Sequence, residues 1–84
     1  MFSYDFTFQS LTAAQNGRNV LHSQRIPAKL LRAPASISVQ GCAYVLQVEG
    51  RYGALASSML QYYAGGYGRV YRVYPDGRTE EAIL

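Results

Sequence analysis

Phe2, Tyr4, Phe6 and Phe8 alternate with Ser3, Asp5, Thr7 and Gln9. Successive side chains of an extended strand point to opposite faces. This strict two-residue period therefore commits the segment to a strand with one aromatic, buried face and one polar face. The aromatic face needs a cover, and in an 84-residue chain that cover has to come from the same single domain, residues 1–84, because there is no room for a second core. With 49% hydrophobic and 15% charged residues, the chain has the composition of a folded domain and not of a disordered tail.

The cover is legible downstream. Thr12-Ala-Ala-Gln15 has the spacing of a capping box and predicts a helix from Thr12 to about Ser23. Ala13, Gly17, Val20 and Leu21 then share one face, and Gly17, which costs about 1 kcal/mol in helix propensity relative to alanine, points to close packing on a sheet. Residues 28–33 and 42–48 read as strands, the second nearly continuous in apolar residues and so interior. Between them, residues 34–41 form a loop, with Ile37 and Val39 packing down. Tyr52, Leu55, Ala56, Met59, Leu60 and Tyr63 recur at i, i+3, i+4, i+7, i+8 and i+11, which predicts a helix over 53–63 that Gly65-Gly66 stops. Residues 69–74, a turn at Pro75-Asp76-Gly77 and residues 78–83 read as a hairpin whose register sets Arg72 opposite Glu80. The expected fold is α+β: a ferredoxin-like βαββαβ sandwich, an antiparallel sheet with two helices on one face and a short C-terminal hairpin extension.

Composition excludes several functions. One cysteine, Cys42, forms no internal disulfide, and one cysteine with one histidine, His22, cannot build a zinc site, so neither metal nor cofactor is expected. No apolar run is long enough to span a bilayer, and the first residues lack the basic start of a signal peptide, so the expected compartment is the cytoplasm, with no membrane partner. Gly65-Gly66-Tyr67-Gly68 follows a helix, whereas a dinucleotide fingerprint precedes one. The acids are scattered, so no carboxylate pair for acid–base work is in view, and the chain is not expected to be an enzyme in the turnover sense. His22 reads as a surface or capping residue at the C-terminal end of the first helix.

Three features carry chemical potential. No Asp or Glu lies between Phe6 and Val48, while Arg18, Arg25, Lys29 and Arg32 do, which suits an anionic partner or an anionic group. Cys42 follows Gly41 at the junction of loop and strand, with Arg32 at the other end of the same connection; it is either a buried small hydrophobe or a reactive thiol whose ionisation a positive field would favour. Tyr44, Tyr62, Tyr63, Tyr67, Tyr71 and Tyr74, in the second half of the chain, interleave with Arg69 and Arg72. They pack core edges or a subunit interface, or they stack single-stranded bases on a sheet face, although the RNA-recognition-motif pattern is missing.

The run Phe6-Thr-Phe-Gln-Ser-Leu-Thr-Ala-Ala-Gln15, then Leu21, Ile26-Pro-Ala-Lys-Leu-Leu-Arg-Ala-Pro34, Ile37-Ser38 and Gly41-Cys42-Ala-Tyr44 resembles a family of short bacterial proteins described as selenium/sulfur carrier-like. The resemblance covers about residues 4–62 and stops short of the tyrosine-rich C-terminal part. It implies that Cys42 is the thiol that accepts a persulfide or selenopersulfide from a protein donor and passes it to a protein acceptor. Arg32, Pro34, Ser38 and Gly41 match the family's preceding segment, and Tyr44 the strand that follows. Two alternatives stand beside the carrier. One is a single-stranded nucleic-acid-binding module using a Tyr/Arg sheet face. The other is a structural interaction module that forms a homodimer through its tyrosines and its uncovered sheet face.

Overall fold

The computed structural model describes residues 1–38 and 43–84. Its elements run β1 (Ser3–Phe8), α1 (Leu11–Ser23), β2 (Lys29–Arg32), the single turn α2 (Ala35–Ser38), β3 (Tyr44–Glu49), a 3-10 turn (Gly50–Tyr52), α3 (Gly53–Tyr63), β4 (Val70–Val73) and β5 (Thr79–Ala82). The strands form one antiparallel sheet in the order β2-β3-β1-β4-β5. β1 is central. It pairs with β3 from Ser3↔Glu49 to Phe8↔Tyr44 and with β4 from Ser3↔Val73 to Phe6↔Val70. Each long helix links two parallel strands with an antiparallel one between them: α1 joins β1 to β2 across β3, and α3 joins β3 to β4 across β1.

The aromatic period of β1 does what it promised. Tyr4, Phe6 and Phe8 enter a single core with Leu46 and Val48 of β3, Ala14 and Leu21 of α1, and Ala56 and Leu60 of α3. Both long helices pack against each other and against this one side of the sheet. Gly17 sits where they close. A Cβ there would lie 3.1 Å from side-chain atoms of Leu46, Leu60 and Phe8, so the packing role expected of it holds.

Several local expectations need correction. The N-cap of α1 is Ser10, whose hydroxyl accepts from the Ala13 N–H at 3.1 Å, and Thr12 already lies inside the helix. Ala14, not Ala13, is the buried alanine. The strands are shorter than the apolar runs suggested, since β2 covers only Lys29–Arg32 and β3 begins at Tyr44. The 34–41 connection contains a helical turn with Ile37 fully buried. α3 has the expected bounds, but its stripe is rotated: Gly53, Ala56, Ser57 and Leu60 face inward, whereas Leu55 and Tyr63 face solvent.

The C-terminal half follows the sequence closely. The Gly66 N–H donates to the Leu60 carbonyl at 2.9 Å and closes the end of α3. In the hairpin the Gly77 N–H donates to the Tyr74 carbonyl at 2.9 Å, and Gly77 takes φ +89°, a left-handed conformation that glycine reaches without strain. Arg72 stands opposite Glu80 with a 3.1 Å ion pair.

Candidate functional site

The described residues bring part of the expected thiol site together. Arg32 ends β2 in register with Tyr44, the first residue of β3, and its guanidinium lies 5.7 Å from the centre of the Tyr44 ring. The backbone is pinned on both sides of this corner. The Ala33 N–H donates to the Ala43 carbonyl at 3.0 Å, and the Ala43 N–H donates to the Phe8 carbonyl at 3.2 Å. Pro34 opens α2 by accepting from the Ile37 N–H at 2.9 Å, and Ser38 is its last residue. Cys42 and Gly41 lie outside the described residues. Glu49 is remote from this corner: β1 and β3 place it at the opposite end of the sheet, beside Ser3. Arg69, across β1 at the Phe8 end, is bonded to Glu81 at 3.2 Å.

The tyrosines are dispersed. Tyr67 packs edge-on against Phe6 with centroids 4.8 Å apart and shares a 2.6 Å hydrogen bond with the Ser57 hydroxyl. Tyr62 and Tyr63 are on α3, and Tyr71 is on the sheet face away from the helices. Arg72 points to the helix side. Its guanidinium donates to the Tyr4 hydroxyl at 3.3 Å and lies 5.2 Å from the Phe2 ring centre. Tyr4 heads the interactions that raise the Arg72 pKa further above its ordinary value. Glu80 accepts from the Tyr74 hydroxyl at 2.6 Å as well as from Arg72, and these two bonds, the tyrosine's first, hold its carboxyl below the usual range. His22 is exposed in the last turn of α1, its Nε2 3.1 Å from the Ala28 carbonyl.

One group escaped sequence reasoning. Asp5 alternates with the aromatics of β1 and so points away from the helices, yet it is only 3% exposed. Thr7 and Val45 are buried on the same face. Asp5 stands between Gln47 of β3 and Tyr71 of β4. Burial raises its carboxyl to about 6 against a partial offset from a Gln47 hydrogen bond, and Oδ1 has no partner among the described residues. The signal in the sequence was a carboxylate at a polar position of the most strongly patterned strand.

Among the described residues no group of three or more His, Cys, Asp or Glu side chains is placed to hold a metal ion, and no helix is long and apolar enough to cross a membrane. Comparison with protein-family models, with curated proteins and with solved structures returns no match to this chain.

Proposed function

We propose that this protein is a small thiol carrier, with Cys42 as the residue that bears sulfur or selenium, built on a ferredoxin-like sheet extended at one edge by β5. The inner order β2-β3-β1-β4, with each long helix spanning a split βαβ unit, supports the fold reading. The observation that carries the functional reading is the pinned Arg32–Tyr44 corner. A cation stands in register with the residue two positions after Cys42, and Ala33 and Ala43, which flank the 34–42 connection, are bonded to each other and, through Ala43, to β1. A positive field and anchored ends are what a thiol carrier requires, because the thiolate is the reacting species.

The chemistry needs no turnover machinery. The Cys42 thiolate attacks the outer sulfur of a donor persulfide. The new S–S bond makes Cys42 the persulfide, the donor's S–S bond breaks, and the donor leaves as a thiolate. A second exchange of the same kind delivers the sulfur to an acceptor. The two steps are each balanced and use no cofactor. Rate follows the thiolate fraction and access.

The test is alkylation at pH 7. Cys42 reacts with iodoacetamide faster than a free-cysteine peptide, Arg32→Ala slows it, and incubation with a small-molecule persulfide adds one sulfur atom to the intact mass. Reaction only after denaturation would remove the chemical basis of the carrier. An interaction module is the second reading, and the specific observation that favours it is the outward apolar side of α3.

A further inference from the structure

The acids of this chain are spoken for. Glu49 pairs with Arg51 at 3.5 Å, Glu81 with Arg69 at 3.2 Å and Glu80 with Arg72 at 3.1 Å. Asp5 is buried in the sheet, and Asp76 accepts from the Arg78 N–H in the hairpin turn. Arg18, Arg25, Lys29 and Arg32 have no carboxylate partner among the described residues, and no Asp or Glu lies between Phe6 and Val48 to offer one.

The fold gathers these cations along one edge. β2 ends the sheet and pairs only with β3 among the described residues. α1 packs over it. Arg18 and His22 lie one turn apart on the same flank of α1, and the His22 Nε2, 3.1 Å from the Ala28 carbonyl, ties that flank to the start of β2. Alternation along β2 puts Arg32 with Leu30 on the helix side, toward this flank, and Lys29 with Leu31 on the other. Arg25 continues the row beyond α1 at φ +61°, a left-handed position that glycine takes without strain.

We infer that the open edge of β2 takes an extended acidic segment of another protein as a sixth strand, with its carboxylates on the helix side against Arg18 and Arg32. An edge strand presents the backbone N–H and C=O of every second residue, which selects a peptide over a nucleic acid. Charge selects its chemistry. A second β2 would set two positive edges side by side, and the acids of β5, Glu80 and Glu81, are already held. Glu49 stands on the outer side, two positions past Gln47, the partner of Lys29. The fitting segment therefore turns its carboxylates to the helix side and lays apolar residues beside Leu31, which is 37% exposed. The thiol takes no part, so this inference and the carrier reading fail separately.

Fluorescence anisotropy of the full chain with an end-blocked peptide of about eight alternating glutamates and valines tests it. The peptide binds, raising salt from about 50 to about 300 mM weakens it several-fold, and the matching lysine–valine peptide does not bind. In NMR hydrogen exchange the amides of β2 gain protection, and N-methylation throughout the peptide abolishes binding. Arg18→Glu weakens binding by about five- to tenfold with an unchanged circular dichroism spectrum. Arg25→Gly weakens it while holding or raising the thermal midpoint, a split that damage to the fold would not give. The inference is overturned by no binding, by binding without protection in β2, or by an N-methylated or lysine–valine peptide that binds as well. It is equally overturned by an oligothymidylate that binds the flank more tightly than the peptide.

Discussion

Replacing Asp5 by asparagine separates the cost of burying a charge from everything else in the sheet. The Asp5 carboxyl moves from 3.8 to about 6 on folding because burial disfavours its charged form. At one pKa unit per 1.36 kcal/mol, that shift is worth about 3 kcal/mol. Its sign is destabilising at neutral pH. Between the two values the folded chain binds the proton that the unfolded chain has lost, so stability falls as pH rises from about 4 to about 6. Above that the penalty is fully present, and below the unfolded value it vanishes. The asparagine side chain cannot ionise, and its amide inherits the place of the unpartnered Oδ1, a cost the wild type already bears and that cancels in the difference. Asp5→Asn is therefore more stable than the wild type by about 3 kcal/mol at pH 7, and the two are about equally stable below pH 4. Urea denaturation of both proteins, followed by circular dichroism from pH 3.5 to 7.5, measures the difference. Subtracting one curve from the other removes the other carboxyls, including Glu80, whose contribution runs the opposite way. A difference that does not vary with pH would refute the reasoning, as would an asparagine variant less stable at pH 7.

Three further outcomes are expected. Ser10→Ala costs about 1 kcal/mol through loss of its bond to the Ala13 N–H, whereas Thr12→Ala changes stability by no more than a few tenths, as paired thermal melts would show. Gly53→Ala drives a Cβ into the Tyr4 ring and lowers stability by about 1–3 kcal/mol, read from the urea midpoint. Tyr74→Phe removes the leading interaction that holds Glu80 low, so the Glu80 carboxyl titrates at higher pH in an NMR titration. The stability that this lowered carboxyl supplies is present above its unfolded value and lost as pH falls, so the variant has less acid-side stability to lose.

The parts of the fold that were legible in the sequence rest on local codes. The alternation of β1, the Gly65-Gly66 stop and the Pro75-Asp76-Gly77 turn each act over a few residues, and the turn fixed the Arg72–Glu80 register without reference to the rest of the chain. The parts that were not legible depend on distant neighbours. Ser10 and Thr12 are both competent caps two residues apart, and the structure begins the helix at Leu11. α3 is apolar on two sides and has no charge to mark its outer face, so its rotation was decided by what Gly53, Ala56 and Leu60 meet in the core. At the candidate site, Arg32 and Tyr44 were both named from the chain, but only strand pairing sets them side by side. Asp5 was visible as a polar residue, and its burial became visible only with Gln47 and Tyr71 in place on either side. Cys42 lies outside the described residues, so its reading rests on the sequence and the corner around it.

The central position of β1 also sets a timetable. β1 lies near the start of the chain, while its partners begin at Tyr44 and Val70. During synthesis this aromatic strand is made before either edge can be satisfied, and Phe6 and Phe8 wait uncovered until residues 44–73 have followed. The β4–β5 pairing closes over the short 74–78 turn, and β2 with β3 over the longer 33–43 connection; both are local and can form before β1 docks. They cannot join until β1 inserts between β3 and β4, a step that draws together the most distant parts of the chain. Nonlocal closure of this kind is slow relative to hairpin formation. Refolding should accordingly pass its barrier as β1 docks, and a nascent chain stalled before Val70 would display an unpaired aromatic strand edge, the form in which this protein is most exposed to aggregation.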